Sequence, residues 1–435
     1  MNPRLHVALA LADTFLAGEA DQASMVAAAQ AALGQPWRWI PHVCRALLKR
    51  TGEHLHAFSR AELAEFILGY DSFEHAWRGP QAPPKVHRYC TEPARPVAPP
   101  EWVLPLGLPA LGTPGDLAGW LGTSVTDLGW FADRRRTTGT AGPQRHYHYR
   151  WVEKRSGGLR MIEIPKERLR AIQRQILRQL LSRVPLHAAA HGFRQSHSAL
   201  THAAIHTHQA VVIRMDLQDF FASIPAARIQ ALFGKLGYAS SVAAMLARLC
   251  TNRVPHDVLR HADRKATNQL AGRHLPQGAP SSPALANLCA FRLDMRLATL
   301  AQSMGARYSR YADDLTFSGD VALAQAARRF HIQVTAIAHE EGFRINTRKT
   351  RLMSAGTRQS VTGIVVNRGM NVARADYDLL KAVLTNCMRH GPVSQNREGR
   401  HDFRAHLAGR IAHLHSINPV RGQRLQALFE GIAWP

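Results

Sequence analysis

Residues 211–215, Val-Val-Ile-Arg-Met, form a β-branched run that ends at Asp216, and 97 residues further on Asp313 and Asp314 stand together between two more extended runs, 307–311 and 315–318. Two short extended runs on either side of a tight turn read as a hairpin. Helical spacing fills the remainder, over 226–236, 241–250, 282–304 and 322–341. Such alternation predicts an α+β domain built on an antiparallel sheet, with acidic side chains at its strand ends. Carboxylates that share a site repel one another, and bound divalent cations are the usual means of keeping them ionised together. Oxygen-only ligands favour Mg²⁺. Two such ions about 3.5–4 Å apart can activate an attacking hydroxyl and stabilise a leaving oxygen in phosphoryl transfer. Taken by itself, an Asp-Asp pair is equally an ordinary polar turn.

Charge narrows the partners. The 435 residues carry 55 Lys and Arg against 31 Asp and Glu, a net +24, while 46% are hydrophobic. This balance excludes disorder and favours a folded protein that meets a polyanion. Residues 134–183 hold fourteen Lys and Arg against three Glu. Within them, 151–155 and 159–164 flank Ser156-Gly157-Gly158 as the arms of a hairpin. Leu169, Ile172, Ile176 and Leu180 then recur at helical spacing, which predicts a helix over 166–183 whose basic face includes Arg170, Arg174 and Arg178. A merely solvated basic face is the competing reading; the interleaved Tyr147, Tyr149 and Trp151 favour nucleic acid.

Other classes fall away. No apolar run approaches the ~18–20 residues of a membrane span, and the five cysteines form no C-x-x-C pair, as expected of a reducing, cytoplasmic setting without disulfides or structural zinc. A G-x-x-x-x-G-K-[ST] phosphate loop does not occur. Residues 1 to about 78 are rich in Ala and Leu and read as amphipathic helices, and ten of the 24 prolines lie between Pro80 and Pro114, a composition that suits a linker. A new ordered region is expected from Asp116, which can cap a helix.

Tyr311-Ala312-Asp313-Asp314 resembles the Y-A-D-D box of reverse transcriptases, and the resemblance extends in order over residues 113–435. Asp216-Leu217-Gln218-Asp219-Phe220-Phe221 is similar to the first metal-binding motif of the palm, Gln277-Gly278-Ala279-Pro280-Ser281-Ser282-Pro283 to the Q-G-x-x-x-S-P box, and Asn346-Thr347-Arg348-Lys349-Thr350 to the later palm motif. The resemblance implies a right-hand polymerase: a helical extension with its proline-rich linker over 1–112, fingers 113–210, palm 211–366 and a helical thumb 367–435. It implies catalytic Asp216, Asp313 and Asp314, with the Leu217 carbonyl as a further ligand for two Mg²⁺ ions, replaceable by Mn²⁺. Phe221, chosen over Phe220 on family spacing, would exclude a 2′-hydroxyl. Arg160 and Lys154 would pair with triphosphate oxygens, a task that favours Arg. Gln277 and Gly278 would lie against the nucleotide and template, with Gly allowing close backbone approach, and Lys349 near the triphosphate.

Val361-Thr362-Gly363 resembles the V-T-G motif of bacterial retron enzymes, whose thumb holds a structured RNA. His202-Ala203-Ala204-Ile205-His206 stands where those enzymes carry N-A-x-x-H, with His in place of Asn. Contact of His202 and His206 with RNA, a structural role, and zinc ligation at i, i+4 are all open readings. After Gly363 only 72 residues follow, room for a thumb rather than the maturase region of group II intron proteins. The expected activity is RNA-directed DNA synthesis on a partner noncoding RNA that is both template and 2′-hydroxyl primer, giving branched msDNA from dNTPs through an RNA–DNA hybrid. Antiphage defence with an effector or toxin protein is the expected setting. The competing readings are an RNA-binding scaffold or antitoxin component with secondary polymerase activity, and a group II intron-like enzyme.

Overall fold

The computed structural model describes residues 2–17, 21–51, 55, 58–78, 82–89, 99–133, 144–153, 157, 159–260, 262 and 264–434. The chain divides into two compact units, one formed by residues 1–137 with 230–249, the other by 138–229 with 250–435.

In the first unit, helices α1 (Pro3–Ala17), α2 (Gln22–Leu33), α3 (Ile40–Thr51), α4 (Arg60–Leu68) and α5 (Asp71–His75) close around Leu11, Phe15, Met25, Trp39, Leu47, Ile67 and Phe73. The start of α4 is fixed reciprocally: Glu62 N–H donates to Ser59 Oγ at 3.2 Å and Ser59 N–H to Glu62 Oε2 at 2.7 Å, so two orphan donors find partners. The described part of the proline-rich stretch is packed rather than free. His87 N–H donates to the Ala32 carbonyl at 2.9 Å, and Tyr238 Oη to that of Pro109 at 3.1 Å. Next come α6 (Pro114–Trp120) and α7 (Val125–Phe131). Asp116 does cap α6, but from its third residue, in a box with Thr113.

The second unit opens with strands β1 (Tyr147–Glu153) and β2 (Leu159–Pro165), an antiparallel hairpin that pairs Trp151 with Met161. Helix α8 (Glu167–Gln179) is shorter than the expected 166–183, its last residues tightening into a 3-10 turn, Leu181–Arg183. After α9 (Ala199–Ala204) and β3 (Val211–Asp216) the chain runs through α10 (Ala226–Lys235) and α11 (Ser240–Cys250), of which residues 230–249 belong to the first unit, and continues in the second with α12 (His256–Leu259) and α13 (Arg264–Leu270). The helix expected over 282–304 is two, α14 (Ser282–Cys289) and α15 (Phe291–Ser303). At the break, the Cys289 carbonyl accepts from Arg228 Nη2 at 2.7 Å, so the interruption leaves that oxygen satisfied.

Strands β4 (Arg307–Tyr311) and β5 (Asp314–Gly319), helix α16 (Val321–Glu340) and strand β6 (Arg351–Ser354) complete a four-stranded antiparallel sheet ordered β4-β5-β3-β6. Register and side-chain alternation give its two faces different duties. Tyr308, Arg310, Phe317 and Ile213 point one way, where Phe317 meets Phe330 of α16 with ring centroids 4.9 Å apart. Arg214, Asp216, Tyr311, Asp314 and Ser318 point the other way. There α9 and the small hairpin β7 (Ser360–Val361) and β8 (Ile364–Val365) cover Val212 with Ala203, Val361 and Ile364. Helices α17 (Arg374–His390), α18 (Phe403–Ile417) and α19 (Pro419–Glu430) pack around Leu384, Leu407, Ile411 and Leu425. Among the described residues no helix is long and apolar enough to cross a membrane, and Cys44, Cys250, Cys289 and Cys387 are buried free thiols.

Candidate active site

Asp216, the last residue of β3, is the register partner of Asp314, the first residue of β5. Directly opposed residues on antiparallel strands project to the same face, so the sheet itself brings these two carboxylates together. Asp313 joins them because the β4–β5 connection is a two-residue turn, Ala312-Asp313, with Ala312 held at φ +57°. Leu217 N–H donates to the Asp313 carbonyl at 2.8 Å, which ties the strand end after Asp216 to the turn.

Two anchors hold the turn from beneath. Arg310, wholly buried, makes a bidentate pair with Asp294 of α15, at 2.8 and 2.6 Å, and its Nη1 donates to Asn287 Oδ1 at 2.9 Å and to the Ala312 carbonyl at 3.0 Å. Gly192 presses on the turn from the side: a Cβ there would lie 2.5 Å from Ala312 N, a contact only glycine tolerates.

The carboxylates are balanced by basic side chains. Lys349 Nζ donates to Asp216 Oδ1 at 2.9 Å, and Arg214 forks onto Asp314. Burial raises the Asp313 carboxyl above its usual range, with the charge of Asp216 adding to the rise. Burial also raises Asp314, against the opposing pull of Arg214.

Other candidates fall into clear places. Phe220 is buried against Phe343, whereas Phe221 is half-buried and faces Phe193 at 6.2 Å between ring centroids. Phe220 is therefore the core ring, and Phe221 is the one open to a ligand. Gln277 and Gly278 lie against β2: Glu163 N–H donates to the Gln277 carbonyl at 2.9 Å, and a Cβ on Gly278 would lie 2.7 Å from the Glu163 carbonyl. The close approach that this glycine permits is thus to the hairpin strand. Arg160 is exposed on β2, and Lys154 lies outside the described residues. On α8, Arg174 and Arg178 are exposed and Arg170 half-buried.

The histidines and Val361 require correction. His202 and His206 are fully buried, so neither ring reaches an RNA phosphate. His206 lies between Ser318 Oγ and Ser309 Oγ, each 2.7 Å from a ring nitrogen, and bridges β5 and β4. The His202 ring packs on Tyr311 at 5.7 Å and on His206 at 5.7 Å, and burial drives its pKa down to about 3. Zinc ligation is not supported either, since both ring nitrogens of His206 are taken up by serine hydroxyls and the His202 ring is buried against Tyr311 and His206. Val361 is also fully buried, in the core under α9, which leaves Thr362 and Gly363 at the hairpin tip.

Sequence reasoning missed Arg310, Asp294 and Asn287, the polar cluster under the turn. A basic residue two before an aspartate turn gives no local sign that it points inward. It also missed the Glu163–His274 pair, 2.9 Å apart and almost fully buried, whose partners are 111 residues apart in sequence.

Residues 152–377 match the family model for reverse transcriptase (RNA-dependent DNA polymerase). The chain is 40% identical over 324 residues to the retron Mx65 reverse transcriptase of Myxococcus xanthus, spanning 73% of this chain and 71% of that one. It is 36% identical over 332 residues to the retron Mx162 reverse transcriptase of the same organism, 74% and 67% of the two chains. With the retron Ec86 reverse transcriptase of Escherichia coli the identity is 32% over 240 residues, 54% and 68% of the chains.

The chain belongs to the retron-type reverse transcriptases. It is an RNA-directed DNA polymerase with the right-hand polymerase fold, and the group II intron-like alternative is set aside. Reverse transcriptases depend on divalent metal ions, and the residues present fit that need in their chemistry. Asp216, Asp313 and Asp314 offer hard oxygen donors, and added positive charge would favour the ionised form of Asp313, which burial first and the Asp216 charge second oppose. In the structure Lys349 and Arg214 supply that charge.

Proposed function

We propose that this retron-type enzyme copies a structured noncoding RNA, starting from a 2′-hydroxyl within that RNA, and so makes a branched RNA–DNA molecule. The observation that carries this reading is the seating of the Val361-Thr362-Gly363 hairpin on α9, where Thr362 Oγ1 donates to the Ala199 carbonyl at 3.4 Å. The element through which retron enzymes are expected to hold RNA thereby rests on the helix whose His202 backs Tyr311 of the catalytic turn.

In the reaction, a hydroxyl gives up its proton to solvent and its oxygen attacks the α-phosphorus of a dNTP; the new P–O bond forms as the bond to pyrophosphate breaks. Asp216, Asp313 and Asp314, with the Leu217 carbonyl, would hold two Mg²⁺ ions, which supply the positive charge that favours the alkoxide and the departing pyrophosphate. Arg160 and Lys154 pair with the triphosphate, and Lys349 moves from Asp216 toward it. Phe221 excludes a ribose 2′-hydroxyl, and Gln277 and Gly278 line the nucleotide and template. Arg170, Arg174 and Arg178 hold RNA phosphates, as the exposure of the latter two allows. The biological setting in this reading is cytoplasmic antiphage defence beside an effector protein.

The test is to purify the protein with its nucleic acid and sequence both strands. A DNA whose 5′ end is joined to an internal RNA 2′-oxygen, absent from Asp313→Asn and Asp314→Asn proteins that still retain the RNA, is the expected result. Linear DNA with an ordinary 3′–5′ primer junction would overturn the retron mode of priming. Ordinary synthesis by both Asn variants would overturn the active site.

A further inference from the structure

Phe193 is a large apolar side chain left 52% exposed, and its backbone sits at φ +59°, a conformation that a bulky residue rarely adopts. Such outliers persist only where their surroundings over-determine them. Here both flanks are fixed. The Gly192 carbonyl accepts from Asn287 Nδ2 at 2.8 Å, His191 N–H donates to the Arg310 carbonyl at 2.8 Å, and Arg194 Nη1 donates to the His187 carbonyl at 3.2 Å. Asn287 also receives Arg310, the residue that holds Ala312. One polar cluster therefore sets the catalytic turn and the backbone that presents Phe193.

The ring so presented stands beside Phe221, 6.2 Å away at an interplanar angle of 59°, and beside Tyr311, 6.4 Å away. These are tilted aromatic contacts within ordinary range. Phe221 has a second aromatic neighbour, Phe220, at 5.6 Å. Phe220 is fixed in the core, so a second ring in contact with Phe221 would further restrict its orientation.

We propose that Phe193 is a positioning residue for sugar selection: its ring braces Phe221 so that the space a ribose 2′-hydroxyl needs stays filled. The proposal rests on the reading of Phe221 as the residue that excludes that hydroxyl. A half-buried ring with an open side can turn away from an extra oxygen, whereas a ring in contact with both Phe220 and Phe193 has fewer directions in which to yield. The strained backbone at Phe193 would then serve to hold an apolar ring at the solvent edge of the site, where burial alone would not keep it.

The test measures single-nucleotide kcat/KM for dCTP and CTP on an RNA template, for wild type, Phe193→Ala, Phe193→Leu, Phe193→Tyr, Phe221→Ala and the Phe193→Ala/Phe221→Ala double variant. Packing alone discriminates against an added hydroxyl by about 10²-fold, so loss of the brace is expected to lower the dCTP:CTP preference on the order of tenfold, through faster use of CTP. Phe193→Tyr should keep the preference, Phe193→Leu should not, and the double variant should be no less selective than Phe221→Ala. RNA affinity should be unchanged in all of them. If Phe221→Ala lowers the preference and Phe193→Ala and Phe193→Leu do not, the brace is wrong while Phe221 stands. If Phe193→Ala lowers it and Phe221→Ala does not, Phe221 is not the excluding residue and the brace falls with it. Equal, additive losses in the two single variants, or a higher KM for template alone in Phe193→Ala, would also overturn the proposal, the last in favour of stacking on nucleic acid.

Discussion

Lys349 donates to Asp216 Oδ1 at 2.9 Å, so a basic side chain that the family resemblance assigns to the triphosphate rests instead on one of the carboxylates proposed to hold metal. The two roles exclude each other at any instant. An ammonium on Asp216 competes with a divalent ion for the same oxygen, and it must leave to meet a phosphate. Lys349→Met should therefore lower kcat while lowering the Mg²⁺ concentration needed for half-maximal synthesis. The side chain is 41% exposed, and screening limits the gain in apparent metal affinity to about two- to fivefold. A metal titration at saturating dNTP checks this; an unchanged or higher half-saturation concentration would show that Lys349 and the ion do not compete.

Arg310 and Asp294 pose a different question, because both are wholly buried. Breaking such a pair leaves an uncompensated charge and costs about 3–5 kcal/mol, whereas replacing both members by apolar groups is often nearly neutral. Arg310→Met alone and Asp294→Leu alone should each lower the melting temperature strongly, and the double variant should recover much of the loss. Synthesis should not recover with it, since the Ala312 carbonyl no longer has the Arg310 Nη1 donor. A double variant both stable and fully active would mean that the turn keeps its shape without this anchor.

These residues also mark where the sequence stops being readable. The β3 strand, the β4–β5 hairpin and the acidic turn are local patterns: alternation, a tight connection, an aspartate at each strand end. The hairpin fixes the β4–β5 register, with Tyr311 opposite Asp314, whereas the opposition of Asp216 and Asp314 comes from the pairing of β3 with β5, which no local pattern sets. The buried polar contacts are not local either, because Arg310 finds Asp294 only when α15 packs on β4, and His206 finds its serines across two strands more than a hundred residues away. Val361 illustrates the same limit: the family motif marked it as a contact residue, and only the packing of α9 against the hairpin makes it core.

Arg174 and Arg178 are exposed on the α8 face opposite Ile172 and Ile176, and on the proposed reading they meet RNA phosphates. Each such contact contributes about −0.7 to the log–log salt slope of single-strand binding. Changing both to Gln should flatten the slope by about 1.4 if each makes one contact and weaken all RNAs to a similar degree, since phosphate contacts position without specifying. Arg170→Gln, half-buried, should do less. Substitution of Thr362 or Gly363 at the hairpin tip should instead weaken the partner RNA more than an unrelated RNA of equal length. Equal weakening by the tip changes would reduce that hairpin to a general grip.

Glu163 and His274 meet at 2.9 Å between β2 and the segment preceding Gln277. Glu163 Oε2 also accepts from Asn252 Nδ2 at 2.7 Å, and its own N–H holds the Gln277 carbonyl. Burial pushes the His274 pKa down, yet the hydrogen bond and charge of Glu163 outweigh it, and the net shift is upward, with Arg273 opposing. A histidine whose folded pKa lies above its unfolded value, near 6.5, stabilises the fold fully below that value and loses the contribution as pH rises through the folded pKa. His274→Gln should thus be less stable than wild type by the widest margin at about pH 6, and the gap in melting temperature should narrow steadily toward pH 9. Because the same pair steadies the Gln277 backbone, the KM for dNTP should rise in the variant at pH 6 and converge on the wild-type value at high pH. A stability gap that is independent of pH, or that widens as pH rises, would mean that His274 is neutral in the folded protein and that Glu163 is held by Asn252 alone.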